Sequence, residues 1–432
     1  MPGTFPNRQQ IEARQLEQLR KLLDAIVPAN RFCTEKFRVA KFGAPINSLD
    51  DFRTRCPFTT KAELAADQRD HLPFGSNFTY PLEQYTRCHQ TSGTLGSPIR
   101  WFDEPESWKW MVGNWKRIFH AAGVTSADRV LFAFSFGPFI GFWLAFEAAS
   151  EIGCVCFPGG GLSSVTRLKL LLECGVTVIC CTPTYGLRLA EVAAHENISL
   201  QNSRVRLLVV AGEPGGSVPA ARARLQERWS GARVFDHHGM TEVGPVSYEC
   251  PARAGVLHVI EDGYIAEIID PATRHPAVVG QPGELILTPL GRIGCPVLRY
   301  RTGDLVKAAA QPVCLCGTPD LALEGGILSR IDDMVVVRGV NVYPSAVDEI
   351  VRGISAITEY RVTVDSSRSL PELRIQIETG DPASSSAARE ELEKALHRSF
   401  ALRVPVECVP DHTLPRFELK AKRWVRVPAG PL

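Results

Sequence analysis

Between Thr91 and Pro98 the chain reads Thr-Ser-Gly-Thr-Leu-Gly-Ser-Pro, a run of small and hydroxylated residues after the strand-like TRCHQ. Gly93 and Gly96 let backbone N–H groups come close to a phosphate, and Ser92 and Thr94 add hydroxyl donors, so the run suits a polyphosphate grip. A surface turn has the same composition. The Gly-Lys-Ser/Thr ending of a Walker P-loop is missing. A second constellation is Cys250, His258, Cys314 and Cys316, three thiols and an imidazole, the soft donor set of tetrahedral structural zinc. Ordinary buried cysteines are the alternative in a chain with thirteen of them. Cys154, Cys156, Cys180 and Cys181 lie in strand-like runs and read as core.

These residues need a scaffold, and the hydropathy pattern supplies one. From Arg129 to Gly239, short β-rich runs (RVLFAFSF, CVCFP, VTVICCTP, RLLVVAG, ARVFDHHG) alternate with helical stretches around Trp143, Leu168, Leu187 and Leu225. That alternation predicts an α/β fold built on a parallel sheet with helices on both faces. Ligands in such sheets sit where strands end, which draws attention to VVAGEP and FDHHGMTE. From about residue 250 to 330 the pattern turns to strands without long helices (HVIEDGYIAEIID, GELILTPL, LRYRTGDLV), a β-rich subdomain. After Ile331 a small α+β unit of about 100 residues is expected. The division is 1–330 for a large N-terminal domain and 331–432 for a small, mobile C-terminal one. Arg8 to Val27 reads as an amphipathic helix on the main body.

Composition narrows the function. The 432 residues carry a formal net charge of +1, which argues against a nucleic-acid binder and for small-molecule substrates. Met1 to Asn30 lacks the apolar stretch of a secretion signal, so the cysteines point to a reducing cytoplasm. The uncharged run Val130 to Phe146 is broken at Gly137-Pro138 and reads as a buried strand and helix, so no membrane association is expected. Gly159-Gly160-Gly161 lacks GxGxxG spacing, which weakens a hydride-transfer reading.

The phosphate-type loop, AGEP at 211–214, HHGMTEVGP at 237–245, YRTGDL at 300–305, SRIDDMVVVRGVNVYP at 329–344 and ELKAKR at 418–423 follow one another in a set order. This series resembles the adenylate-forming (AMP-binding) superfamily along almost the whole chain. The RGVNVYP segment and the Gly-Pro-x-x-x-Glu-Cys pattern at 244–250 are most similar to phenylacetate-CoA ligases and related aryl-CoA ligases.

The resemblance implies an ATP-dependent acid:CoA ligase working through an acyl-adenylate, with ATP, Mg²⁺ and coenzyme A as its small molecules and an aromatic acid as substrate. It implies that Ser92, Gly93, Thr94 and Gly96 hold phosphates, that Glu242 ligates Mg²⁺, and that Lys420 is the catalytic cation, with Thr94 beside the reacting phosphate. Gly212, Glu213 and Pro214 with His238, Gly239, Met240 and Thr241 would form the adenosine site, and Asp304 and Arg330 would hold the ribose. Asp332 takes the hinge position, and Arg338, Gly339 and Val340 would border the CoA tunnel. Phe134, Phe136, Phe139, Tyr185 and His237 would wall the acid pocket. The resemblance also implies zinc at the cysteine set and fits a homodimer. This chain departs from the family pattern at Leu95, Ile99, His238 and Leu419, where a threonine, a lysine, a tyrosine and a glycine are usual. Delivery of the acyl group to a carrier-protein thiol or an amine, or a non-catalytic nucleotide-binding role, are the competing readings.

Overall fold

The computed structural model describes the chain apart from residues 1–4, 44, 92–97, 312, 338–339, 366–371, 418–420 and 428–432. Helices α1 (Arg8–Ile26), α2 (Arg31–Ala40), α3 (Leu49–Arg55) and α4 (Lys61–Asp70) come first. Asn7 and Thr60 begin α1 and α4 with capping boxes, in which side chain and backbone satisfy each other's free donors. The buried stripe of α1, Ile11, Gln15, Leu19, Leu22 and Ile26, has the helical spacing the sequence predicts.

A short hairpin, β1 (Arg87–Gln90) and β2 (Arg100–Asp103), leads into α5 (Pro105–Ala121). Next come β3 (Arg129–Phe132), α6 (Ile140–Ile152), β4 (Val155–Pro158), α7 (Ser164–Glu173), β5 (Val178–Cys181), α8 (Pro183–His195), β6 (Leu207–Val210), α9 (Pro219–Arg228) and β7 (Arg233–Met240). The expected parallel sheet is present, in the order β7-β6-β5-β3-β4. β3, β4, β5 and β6 are four residues each and almost wholly apolar because helices cover both faces, whereas β7 is longer and runs on into the polar His237-His238-Gly239 bend. Alternate residues divide between two cores. Val130, Phe132, Val178, Cys180, Leu207 and Val209 pack with α5 and α6, whereas Leu131, Ile179, Leu208 and Val210 pack with α7, α8 and α9. The uncharged run after Val130 forms β3 and α6, and among the described residues no helix is long and apolar enough to cross a membrane.

The expected β-rich stretch divides between two sheets. β8 (Gly244–Glu249), β9 (Val256–Val259) and, later, a strand at Ala322–Glu324 continue the large sheet in antiparallel fashion to eight strands. β10 (Tyr264–Ile269), β11 (Pro282–Pro289) and β12 (Tyr300–Lys307) begin a separate four-stranded sheet. The run HVIEDGYIAEIID, read as one unit in sequence, therefore turns at 260–263 from one sheet into the other. The strand at Ala322–Glu324 is β13, and β14 (Ser329–Arg330) closes the second sheet beside β12. Leu19, Leu22 and Ile26 of α1 pack against Ile265, Leu290 and Leu298 of this part.

The remaining elements share a core of their own. They are β15 (Val335–Val337), β16 (Val340–Val342), α10 (Pro344–Gly353), β17 (Ile357–Asp365), β18 (Glu372–Thr379), α11 (Ser385–Phe400), β19 (Val406–Cys408) and β20 (Trp424–Val427). A four-stranded sheet in the order β19-β18-β17-β20 gives this part its α+β character.

Candidate active site

β7 and β12 belong to different sheets, and their facing residues meet. His238 Nε2 lies 2.9 Å from Asp304 Oδ2, although 66 residues separate them. Arg330, directly opposite Asp304 in the β12–β14 register, donates from Nη1 to Asp304 Oδ1 at 3.1 Å and from Nε to Asp332 Oδ1 at 2.9 Å. Burial opposes the Arg330 charge, but the Asp304 and Asp332 carboxylates outweigh it and raise the guanidinium above its ordinary pKa. Four of the residues singled out in sequence thus form one chain of contacts, His238–Asp304–Arg330–Asp332.

The turn after β7 carries the next group. A register shift between His238 and Gly239 lets the strand bend, and a Cβ on Gly239 would stand 2.9 Å from the Gly244 carbonyl oxygen, so this bend accepts only glycine. Glu242 follows, buried, with Lys61 Nζ of α4 at 3.4 Å from its carboxylate. Burial, with the hydrogen-bonded Glu242 carboxylate beside it, pushes the Tyr300 phenol well above its usual range. The Thr241 carbonyl accepts from Arg292 Nη1 at 2.6 Å, and Arg292 is paired to Asp103 at 2.7 and 2.8 Å with both side chains wholly buried. Lys61, Asp103 and Arg292 carry no sequence signature of their own, so only their places in three dimensions connect them to this turn.

Gly212 holds φ at +93°, in the left-handed region open to glycine, just after β6. The Glu213 carboxylate next to it accepts the Thr184 N–H at 2.8 Å, at the start of α8, where Thr182 caps the helix and Pro183 occupies its first turn. Ser92, Gly93, Thr94 and Gly96 lie outside the described residues, as do Arg338, Gly339 and Lys420. The ends of the 92–97 segment are tied by Thr91 N–H to the Ile99 carbonyl at 2.9 Å and by Ile99 N–H to Thr91 Oγ1 at 3.0 Å. Val340 opens β16 and pairs with Val337.

Phe134, Phe136 and Phe139 cluster with Phe142, Trp143 and Phe146 of α6, which sequence reading passed over. Phe134 stacks on Phe142 at 3.8 Å, and Phe136 meets Trp143 edge-on at 4.9 Å. Tyr185 does not join them. It is fully buried in the core on the other face of the sheet, bonded to Ser164 Oγ at 2.9 Å and to Arg167, because the first turn of α8 points that way. His237 packs edge-on against Trp115 of α5 at 4.4 Å. Burial, with His238 nearby, lowers its pKa to about 3, so the ring is neutral, and its Nδ1 has no partner among the described residues.

Cys250 follows β8, His258 lies in β9, and Cys314 and Cys316 sit in the segment before β13. All four donor atoms lie within 4.8 Å of one another, with Cys250 Sγ to Cys314 Sγ at 3.5 Å and Cys316 Sγ to His258 Nε2 at 3.4 Å. A tetrahedral ion with Zn–S bonds near 2.3 Å needs ligand-to-ligand edges of about 3.5–3.8 Å; the two short separations come close to that, and the rest of the set, within 4.8 Å, would close slightly around an ion. His258 Nδ1 faces the Asp320 carbonyl at 3.2 Å, the outer contact that leaves Nε2 free to ligate. All thirteen cysteines are free of disulfides.

Comparison with known proteins agrees along the chain. Residues 91–289 match the AMP-binding enzyme family and residues 339–426 the AMP-binding enzyme C-terminal domain. The phenylacetate-coenzyme A ligase of Thermus thermophilus is 32% identical over 410 residues, covering 93% of this chain and 89% of its own. The enzyme of that name from Pseudomonas putida is 30% identical, covering 95% and 93%. Among solved structures, 2-hydroxyisobutyryl-CoA ligase in its postadenylation state is 27% identical with a TM-score of 0.92, covering 98% of this chain and 91% of that one. The same ligase in its thioesterification state, 28% identical over the same shares, gives 0.74. With the ordered motifs, both family modules and relatives alike from end to end, the chain belongs to the AMP-binding enzyme family, in the company of the phenylacetate-coenzyme A ligases.

Proposed function

We propose that the protein is an AMP-forming acid:CoA ligase that takes an aromatic carboxylic acid. The ligase chemistry is carried by the 0.92 overlay of 98% of the chain on a CoA ligase with its adenylate bound, and the aromatic acid is supported by the phenylacetate-coenzyme A ligases that are 32% and 30% identical. In the first step the acid's carboxylate oxygen bonds to the α-phosphorus of ATP as the α–β phosphate bond breaks and pyrophosphate leaves. In the second the CoA sulfur attacks the acyl carbonyl, AMP departs, and the thiol proton passes to solvent.

The residues divide the work. Asp304 accepts from the ribose hydroxyls, and Arg330 keeps that carboxylate in place. Gly212, Glu213 and Pro214, with His238 to Thr241, form the adenosine wall, where His238 replaces a flat phenol with a ring tied to Asp304. Ser92, Gly93, Thr94 and Gly96 grip the phosphates, and Lys420 faces the charge developing between carboxylate and α-phosphate. Glu242, a buried carboxylate oxygen donor, suits Mg²⁺, which when bound neutralises phosphate charge. Phe136 and Phe139 with Phe142, all partly exposed, offer apolar surface to an aromatic acid, and the buried Phe134 backs Phe142 from the core. Arg338, Gly339 and Val340 border the CoA path. Zinc at Cys250, His258, Cys314 and Cys316 is structural, since the donor set is complete and leaves no position for substrate.

The test is pyrophosphate release with ATP, Mg²⁺ and a panel of aromatic and aliphatic acids, each with and without CoA. Turnover that needs CoA and favours an aromatic acid is the expected result. Release independent of CoA would move the acceptor to a carrier-protein thiol or an amine, and no release with any acid would leave a nucleotide-binding protein without this chemistry.

A further inference from the structure

The two parts of the molecule touch through polar groups at α9 and α10 and around Glu213. Arg224, on α9 of the large part, reaches α10 of the small one. Its Nη1 donates to the Ile357 carbonyl at 3.0 Å and its Nη2 to the Ile354 carbonyl. Ile354 caps the C-terminal end of α10, where carbonyls lack helical partners and the helix dipole is negative, so a guanidinium is well placed there. The charged groups facing Arg224 are Asp348 and Glu227, which favour its cation, and Arg352 and Arg228, which oppose it.

A second contact joins the same two parts. Glu213 holds the Thr184 N–H of α8 with one oxygen and the Ala421 N–H with the other, each at 2.8 Å. Ala421 is the neighbour of Lys420 in sequence. Arg423, clasped by Glu359 at 2.6 and 2.9 Å, also reaches Thr184 Oγ1 at 3.3 Å. Both contacts exist only while α10 and the 421–423 segment lie against α9 and α8. The arrangement seen here is the one that overlays on the postadenylation state of 2-hydroxyisobutyryl-CoA ligase, with a TM-score of 0.92 against 0.74 for its thioesterification state.

We propose that Arg224 is a positioning residue for the first half-reaction. Resting on the ligase reading above, it clamps the small part in the adenylating pose by capping α10, which brings the segment beside Lys420 onto Glu213. Arg224 acts through this placement and contacts neither nucleotide nor acid. Turning the small part for thioester formation releases it. The clamp therefore stabilises one of two poses, and its loss shifts the population toward the other.

The intact enzyme is assayed in separate halves: ATP–pyrophosphate exchange with its acid, and acyl-CoA formation from synthetic acyl-adenylate and CoA. Arg224→Ala is expected to lower the exchange rate about ten-fold at near-unchanged KM for ATP, the scale of a lost charge-assisted hydrogen bond. The thioester half should hold or rise, and Arg224→Lys, which keeps one cationic donor, should recover part of the exchange. Equal loss in both halves, or unchanged exchange, overturns the clamp while the ligase reading stands. If the alanine variant does not fold, Arg224→Gln is judged by the same split. Wild-type enzyme that exchanges pyrophosphate with no acid overturns the ligase reading, and the clamp with it.

Discussion

Asp304 has both oxygens engaged, one by an imidazole and one by a guanidinium, so in its proposed role as ribose anchor it would be oriented before nucleotide arrives. Such pre-orientation leaves the remaining demand of the first step, charge stabilisation at the α-phosphate, to a cation. Lys420 is the candidate. Lys420→Ala should lower ATP–pyrophosphate exchange by at least about 100-fold, as removal of a transition-state donor commonly does, while thioester formation from supplied acyl-adenylate persists. Buried imidazoles set a second residue-level property. Burial lowers His237 to about 3 and His89, stacked on Trp108, to about 4. In the unfolded chain these rings protonate near pH 6.5, so the stability they confer is full above that pH. It drains away as pH falls toward about 4 for His89 and about 3 for His237, by up to about 1.4 kcal/mol per pH unit for each ring. Denaturant titrations at a series of pH values should show that acid slope, and His237→Asn should make it shallower.

At the scale of elements, β8 has chemistry at both ends. The turn carrying Glu242 precedes it, and Cys250 follows it. A zinc ion shared with His258 on β9 and with Cys314 and Cys316 would pin the far end of this strand and hold the segment before β13 onto the large sheet. Metal binding then contributes directly to folding stability. The purified protein should contain about one zinc per chain by elemental analysis, and Cys316→Ser should lose it and melt several degrees lower. Activity at low temperature should fall far less than in the Lys420 variant, because an ion held by all four donors would offer substrate no open position.

At the scale of the whole molecule, the proposed ligase cycle requires the small part to turn. Arg330 is still paired in the large part's second sheet, whereas Val335 already belongs to the small part's core, so Asp332 lies in the short connection between them. Its carboxylate accepts from Arg330, and its carbonyl accepts from Arg426 Nη2 at 3.2 Å, contacts that join the two sides of the connection in this pose. Proline at 332 would freeze one backbone angle there. Asp332→Pro should keep pyrophosphate exchange within about three-fold and lose thioester formation by more than about ten-fold, the reverse of the split expected for Arg224→Ala. Both halves measured on one preparation decide this.

Local pattern was enough for much of the protein. Alternating short apolar runs and helical stretches depend on the period of side-chain placement within each element, so the parallel sheet, its covering helices and the α+β ending were legible in the sequence, and the motif order identified the family. What lay between elements was not. Phe134 and Tyr185 are both aromatic residues just beyond the ends of neighbouring strands, yet they sit on opposite faces of one sheet, because Tyr185 belongs to the first turn of α8, which packs on the far face. HVIEDGYIAEIID looked continuous because the turn that sends its halves into separate sheets interrupts the apolar pattern only briefly. Arg224, Arg292 and Lys61 carry no local signature, since each acts on a partner more than 50 residues away, through bonds that exist only once the chain has packed. Periodicity is a property of neighbours along the chain, and the contacts that build this site are properties of neighbours across it.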